Sequence, residues 1–64
     1  MTPAQHLILE AWHLIQEADF ATLSANSELA AGSLEFNPTE ELTKAISKLT
    51  ISAQKLTQAK TLIK

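Results

Sequence analysis

Leu42, Leu49, Leu56 and Ile63 recur at every seventh position in the second half of the chain, and Ala45, Ser52 and Ala59 follow the first three by three residues. Ile46 and Ala53 widen this stripe. Apolar positions on a seven-residue spacing mark a helix that packs against another helix, and small residues in the second row let two backbones come close. The pattern predicts an unbroken helix over 38–64, roughly 40 Å long at 1.5 Å per residue. In the first half, Ile8, Ala11, Ile15, Ala18, Thr22, Ala25 and Leu29 follow alternating three- and four-residue steps, broadened by Leu7 and Leu14. That predicts a first helix over about 3–31. Its weakest stretch is 19–28, where Asp19, Thr22, Ser24, Asn26 and Ser27 compete for backbone hydrogen bonds. A break there is the alternative to one continuous helix.

Start and stop signals agree with these spans. Thr2-Pro3-Ala4-Gln5 and Asn37-Pro38-Thr39-Glu40 share one layout: a capping side chain, proline at the first helical position, then Gln or Glu at the third. The cap oxygen takes an unpaired backbone N–H, proline has none to leave unpaired, and Gln or Glu reaches back to the cap's own amide. Gly32 is the natural C-terminal cap of the first helix because it tolerates positive φ. Residues 32–37 are left as the connecting loop, a common length between antiparallel helices.

The fold class expected is therefore all-α: an antiparallel two-helix hairpin forming a single domain over 1–64, and dimerising into a four-helix bundle. Folding the chain about its loop sets Leu29 beside Leu42, Thr22 beside Leu49, Ile15 beside Leu56 and Ile8 beside Ile63. The expected hairpin seam is thus Ile8, Ile15, Leu29, Leu42, Leu49, Leu56 and Ile63. A chain of 64 residues with one seam hides a small share of its surface. Chains of this size usually add disulfides, a metal or a second copy. The sequence has no cysteine, which removes disulfides and thiolate metal sites.

Charge changes the picture through its distribution. The net charge is −2, yet residues 1–37 hold Glu10, Glu17, Asp19, Glu28 and Glu35 with no Lys or Arg, while residues 38–64 hold five lysines against Glu40 and Glu41. An acidic helix folded against a basic one is mutually attractive. A docking surface for a charged partner is the alternative reading of this split. No targeting segment and no run near the ~18 residues of a membrane span is present, so a cytoplasmic protein without membrane contact is expected.

The first helix carries more apolar surface than one seam uses. At 100° per residue, Leu9, Trp12, Phe20 and Leu23 fall on a second stripe, joined by Ile51 on the second helix and by Leu34 and Phe36 in the loop. Exposed apolar patches of this kind mark protein contact sites. The expected partner-binding residues are Leu9, Trp12, Phe20, Leu23 and Ile51, with the large aromatics as anchors. The function expected is a small non-catalytic protein–protein interaction module, an adaptor, regulator or assembly factor, binding itself as a homodimer or another protein. Alternatives are a chaperone- or antitoxin-like subunit that folds on its partner, and a nucleic-acid-binding helical bundle. The last lacks arginine, and the lysines of the second helix have no neighbouring aromatic.

Candidate chemistry is sparse. His6, Glu10, His13 and Glu17 line one side of the first helix, and Glu10-x-x-His13 matches the Glu-x-x-His element of di-iron bundles. This strip is expected to point away from the seam as a solvated polar face, so no metal is expected. Thr43, Ser47, Thr50, Gln54, Thr57 and Thr61 form an uncharged ridge on the second helix, either an ordinary wet face or a polar docking surface. With no Cys, Tyr or Arg and a single Gly, no catalytic arrangement, cofactor or small-molecule substrate is expected.

Overall fold

A computed structural model of the chain describes residues 1–32 and 37–63, and nearly all of them lie in two helices: α1, Pro3–Ala31, and α2, Pro38–Leu62. No strand occurs among the described residues. α1 opens on Thr2, whose Oγ1 accepts from the Gln5 N–H at 3.1 Å while the Thr2 N–H donates to Gln5 Oε1 at 2.9 Å. This reciprocal pair satisfies two donors at a helix start. α1 continues without interruption through 19–28. Thr22, which has the chemistry to disrupt that stretch, instead donates its hydroxyl to the Ala18 carbonyl at 2.7 Å and stays within the helix. Gly32 closes α1 at φ 66°, with its N–H donating to the Leu29 carbonyl at 3.2 Å. Lacking a Cβ, glycine takes this left-handed conformation without a steric penalty.

α2 opens on Asn37, whose Oδ1 accepts from the Thr39 N–H at 3.0 Å. Glu40 and Glu41 stand in its first turn and Lys60 in its last, each sign suited to its end of the helix dipole. Ser33, Leu34, Glu35 and Phe36 of the expected loop, and Lys64 at the expected end of the second helix, lie outside the described residues.

The helices lie side by side and antiparallel in a rod measuring 49 × 16 × 13 Å. Ser52 Oγ donates to the Ala11 carbonyl at 3.2 Å, Lys55 pairs with Glu10 and Lys48 pairs with Glu17. As numbering falls along α2 it rises along α1, which fixes both direction and register. The centre of the seam is made of small residues: Ala11, Ala18, Ala21 and Ala25 of α1 against Ala45, Ser52 and Ala59 of α2, all buried. A serine side chain is one carbon long, so its bond to a main-chain carbonyl across the seam shows how closely the backbones approach.

This corrects the expected seam. Ile8, Ile15, Leu29, Leu42, Leu49, Leu56 and Ile63 are not its core; each keeps between 40% and 65% of its surface exposed. Where two helices meet on alanine, the backbones draw together and the neighbouring rows of larger side chains are left at the margin. The register differs as well. Interpolated between the three cross-helix contacts, Ile8 stands level with Leu56, Ile15 with Leu49 and Thr22 with Leu42, seven residues from the expected pairing.

Candidate functional site

A seam of small residues leaves the hairpin with two unlike flanks. Along one of them Glu10 and Glu17 of α1 meet Lys55 and Lys48 of α2. His6 Nε2 also contacts Glu10 at 2.7 Å, and Lys44 contacts Glu41 at 3.4 Å within α2. The hydrogen bond from Lys55 holds the Glu10 carboxyl below its ordinary value of 4.5; desolvation opposes this, and the charges of Lys55 and His6 reinforce it. Glu17 is lowered in the same way, by the Lys48 hydrogen bond first and the Lys48 charge second. The strip of His6, Glu10, His13 and Glu17 therefore does not point wholly away from the seam. Glu10 and Glu17 border it, because the register brings a lysine opposite each. Among the described residues no group of three or more His, Asp or Glu stands close enough to hold a metal ion.

Farther out on this flank, His13, Gln16, Phe20, Lys44 and Lys48 line an open groove. Phe20 is 72% exposed there, resting against the edge of an ion-paired surface rather than inside an apolar one.

The opposite flank is apolar. In an antiparallel pair the rows that adjoin the alanines on the side away from the ion pairs run next to each other. Here these rows are Ile8, Ile15 and Thr22 on α1 and Leu42, Leu49 and Leu56 on α2. Ile15 and Leu49 are 40% and 48% exposed, half covered by the seam and half open. Thr22 brings no free donor to this strip, since its hydroxyl is bonded to the Ala18 carbonyl. Trp12 and Ile46 stand one row outward, on α1 and α2 respectively, and both are exposed.

The expected partner-binding residues are all exposed, but they do not converge on one surface. Trp12 borders the apolar strip, with its ring 5.2 Å from that of His13 at a tilt of 56°. Leu9 shares a shallow hollow with Met1, Gln5 and Ile8. Phe20 belongs to the groove on the ion-paired flank. Leu23 is on the back of α1, and Ile51, one residue before Ser52, turns toward the side of Lys44. Ile46 and the isoleucine and leucine rows were expected in the seam, and their place on an open flank beside it was not anticipated. The signal for both was the strict heptad of Ala4, Ala11, Ala18 and Ala25, which matches that of Ala45, Ser52 and Ala59.

The threonine hydroxyls of the α2 ridge are engaged within the helix. The hydroxyls of Thr43, Thr50 and Thr57 donate to the carbonyls of Thr39, Ile46 and Ala53 at 2.8–2.9 Å, and Thr61 donates to Gln58 at 2.7 Å. What these threonines offer outward is methyl groups and acceptor lone pairs. No described helix is long and apolar enough to cross a membrane. No family model, characterised protein or solved structure matches this chain.

Proposed function

We propose that the chain is a small non-catalytic protein–protein interaction module of the cytoplasm, an adaptor, regulator or assembly factor, and that its working surface is the apolar flank of the hairpin. One observation carries this reading: the rows of isoleucine and leucine are half exposed, while among the described residues no fully buried side chain is larger than that of Ser52. Alanine burial yields little transfer free energy, whereas fully covering one Leu or Ile is worth about 1.5–3 kcal/mol. A large part of the hydrophobic stabilisation available to these rows is therefore still unused in the hairpin and is released when something covers the flank. Pairing of hairpins into a four-helix bundle belongs to this reading. So does a chaperone- or antitoxin-like subunit that becomes fully ordered on its partner, which a core of alanine and serine equally favours. Nucleic acid is a poorer fit, because Lys44, Lys48 and Lys55 are each paired with a glutamate of the same chain.

The test combines sedimentation equilibrium with binding of an apolar fluorescent dye, from about 1 µM to about 200 µM chain, which brackets a micromolar dissociation constant. The reading expects self-association, dye binding, or a change from dye binding to association as concentration rises. A helical chain that stays monomeric throughout and binds no dye refutes it.

A further inference from the structure

Resting on that reading, we infer that the occupant of the apolar flank is a second copy of this chain, seated on the strip formed by Ile8, Ile15, Thr22, Leu42, Leu49 and Leu56. The surface area comes first. Folded monomers of 7.0 kDa expose about 4,000 Å² on the scaling of globular proteins. This hairpin exposes 4906 Å², roughly 900 Å² more than that scaling gives. A standard stable interface buries about 800 Å² on each partner. The excess is about what one such contact removes, and the strip runs along a rod 49 Å long.

Periodicity selects the same chain over a different protein. The strip is layered: Ile8 with Leu56, Ile15 with Leu49 and Thr22 with Leu42, one layer every seven residues or roughly 10 Å. A second hairpin brings the same layers at the same spacing, so side chains of one copy enter the gaps of the other along the whole length, as in four-helix bundles. A two-fold interface places each patch against itself and therefore must not carry net charge of one sign. Neither row of the strip contains a charged residue. Glu10, Glu17, Lys48 and Lys55 stand on the other flank, where they pair within the chain; Asp19 and Lys60, of opposite sign, stand one row outside the strip, in the rows of Trp12 and Ile46. Thr22, the only polar member, has its donor already bonded.

The pairing leaves Phe20, Leu23 and the groove beside Lys44 on the outside. Three chains separate the possibilities by sedimentation equilibrium: the natural sequence, Ile15→Glu in the strip and Phe20→Glu outside it. The natural chain is expected to be a dimer at micromolar concentration. Ile15→Glu should weaken pairing by at least about 100-fold, because a carboxylate is carried into each copy's contact, while Phe20→Glu should leave it within about twofold. If Ile15→Glu loses its helices, Trp12 of the natural chain decides. Its emission, from the edge of the strip, should move to the red as dimers dissociate on dilution, and constant emission through dissociation overturns the placement. A natural chain that remains monomeric yet binds the apolar dye overturns the second copy and leaves the interaction reading standing. A dimer broken by Phe20→Glu and untouched by Ile15→Glu overturns the choice of flank.

Discussion

Replacing Ala18 with leucine separates the observed packing from the packing that the larger side chains suggest. Ala18 is 1% exposed and touches Ala21 and Ala45 at the centre of the seam. Leucine adds three carbons, and if these found space their burial would stabilise the hairpin by about 2 kcal/mol, at roughly 0.8 kcal/mol per methylene. The backbones are too close for that, as the bond from Ser52 to the Ala11 carbonyl two turns away demonstrates. The added carbons force either a poor rotamer or separation of the helices, and overpacking of this kind costs about 1–3 kcal/mol. For a chain of this length each kcal/mol moves the melting temperature by about 4–8 °C, so a fall of roughly 5–20 °C is expected. Thermal unfolding followed by circular dichroism at one fixed chain concentration measures it, since self-association would otherwise shift the midpoint. Ala18→Ser is the control. Serine already occupies the corresponding row of α2 at Ser52, so this change should cost no more than about 1 kcal/mol. A leucine variant that melts at or above the natural midpoint would show that the alanines do not form the line of closest approach.

Other outcomes test separate parts of the structure. Ser52→Ala removes a cross-seam hydrogen bond without stranding a donor, so the loss should stay within about 1 kcal/mol in denaturant titration; a loss of several kcal/mol would contradict this account of the seam. Gly32→Ala meets no atom within 4 Å but must hold φ at 66°, and a cost of about 1–2 kcal/mol is expected, with none pointing to a different cap. Thr2→Ala removes the side-chain acceptor of the Gln5 N–H, while the backbone N–H of residue 2 can still donate to Gln5 Oε1, and should cost about 1 kcal/mol, seen as fraying of the α1 N-terminus in amide exchange. Glu10 and Glu17 are lowered in the folded chain, so the stability they contribute is present above the ordinary value of 4.5 and disappears as pH falls through their lower folded values. The double variant Glu10→Gln, Glu17→Gln should accordingly show a shallower loss of stability between pH 4.5 and the acid limit, and an unchanged profile would remove the two lysine pairs as its cause.

The two helices were legible in the sequence because their signals are local. Thr2 with Gln5, Asn37 before Pro38, and Gly32 after Ala31 act within a turn of their own positions, and the cap bonds formed at Thr2, Asn37 and Gly32 are decided by neighbours in the chain. The attraction between an acidic and a basic helix was legible for a similar reason: segregation of charge along the chain holds whatever the details of packing. Ambiguity entered where two rows compete for the same role. On each helix the alanine row and the isoleucine or leucine row are adjacent, about 50° apart, and share one seven-residue period. Side-chain size favours burying the larger row, and backbone approach favours the smaller.

Register was ambiguous for a sharper reason. A pattern with period seven is unchanged by a slip of seven, so Ile15 against Leu56 and Ile15 against Leu49 satisfy it equally. By itself the sequence determined two capped helices, their antiparallel return and the opposite charges they carry. The tertiary structure alone decided the register, through Ser52 on the Ala11 carbonyl and lysines on Glu10 and Glu17. Those contacts placed alanine at the centre, set the ion pairs along one flank and left the large apolar rows open on the other. The physical reason is that helix caps are satisfied within one turn, whereas the choice of buried row depends on which atoms of the second helix lie across the seam.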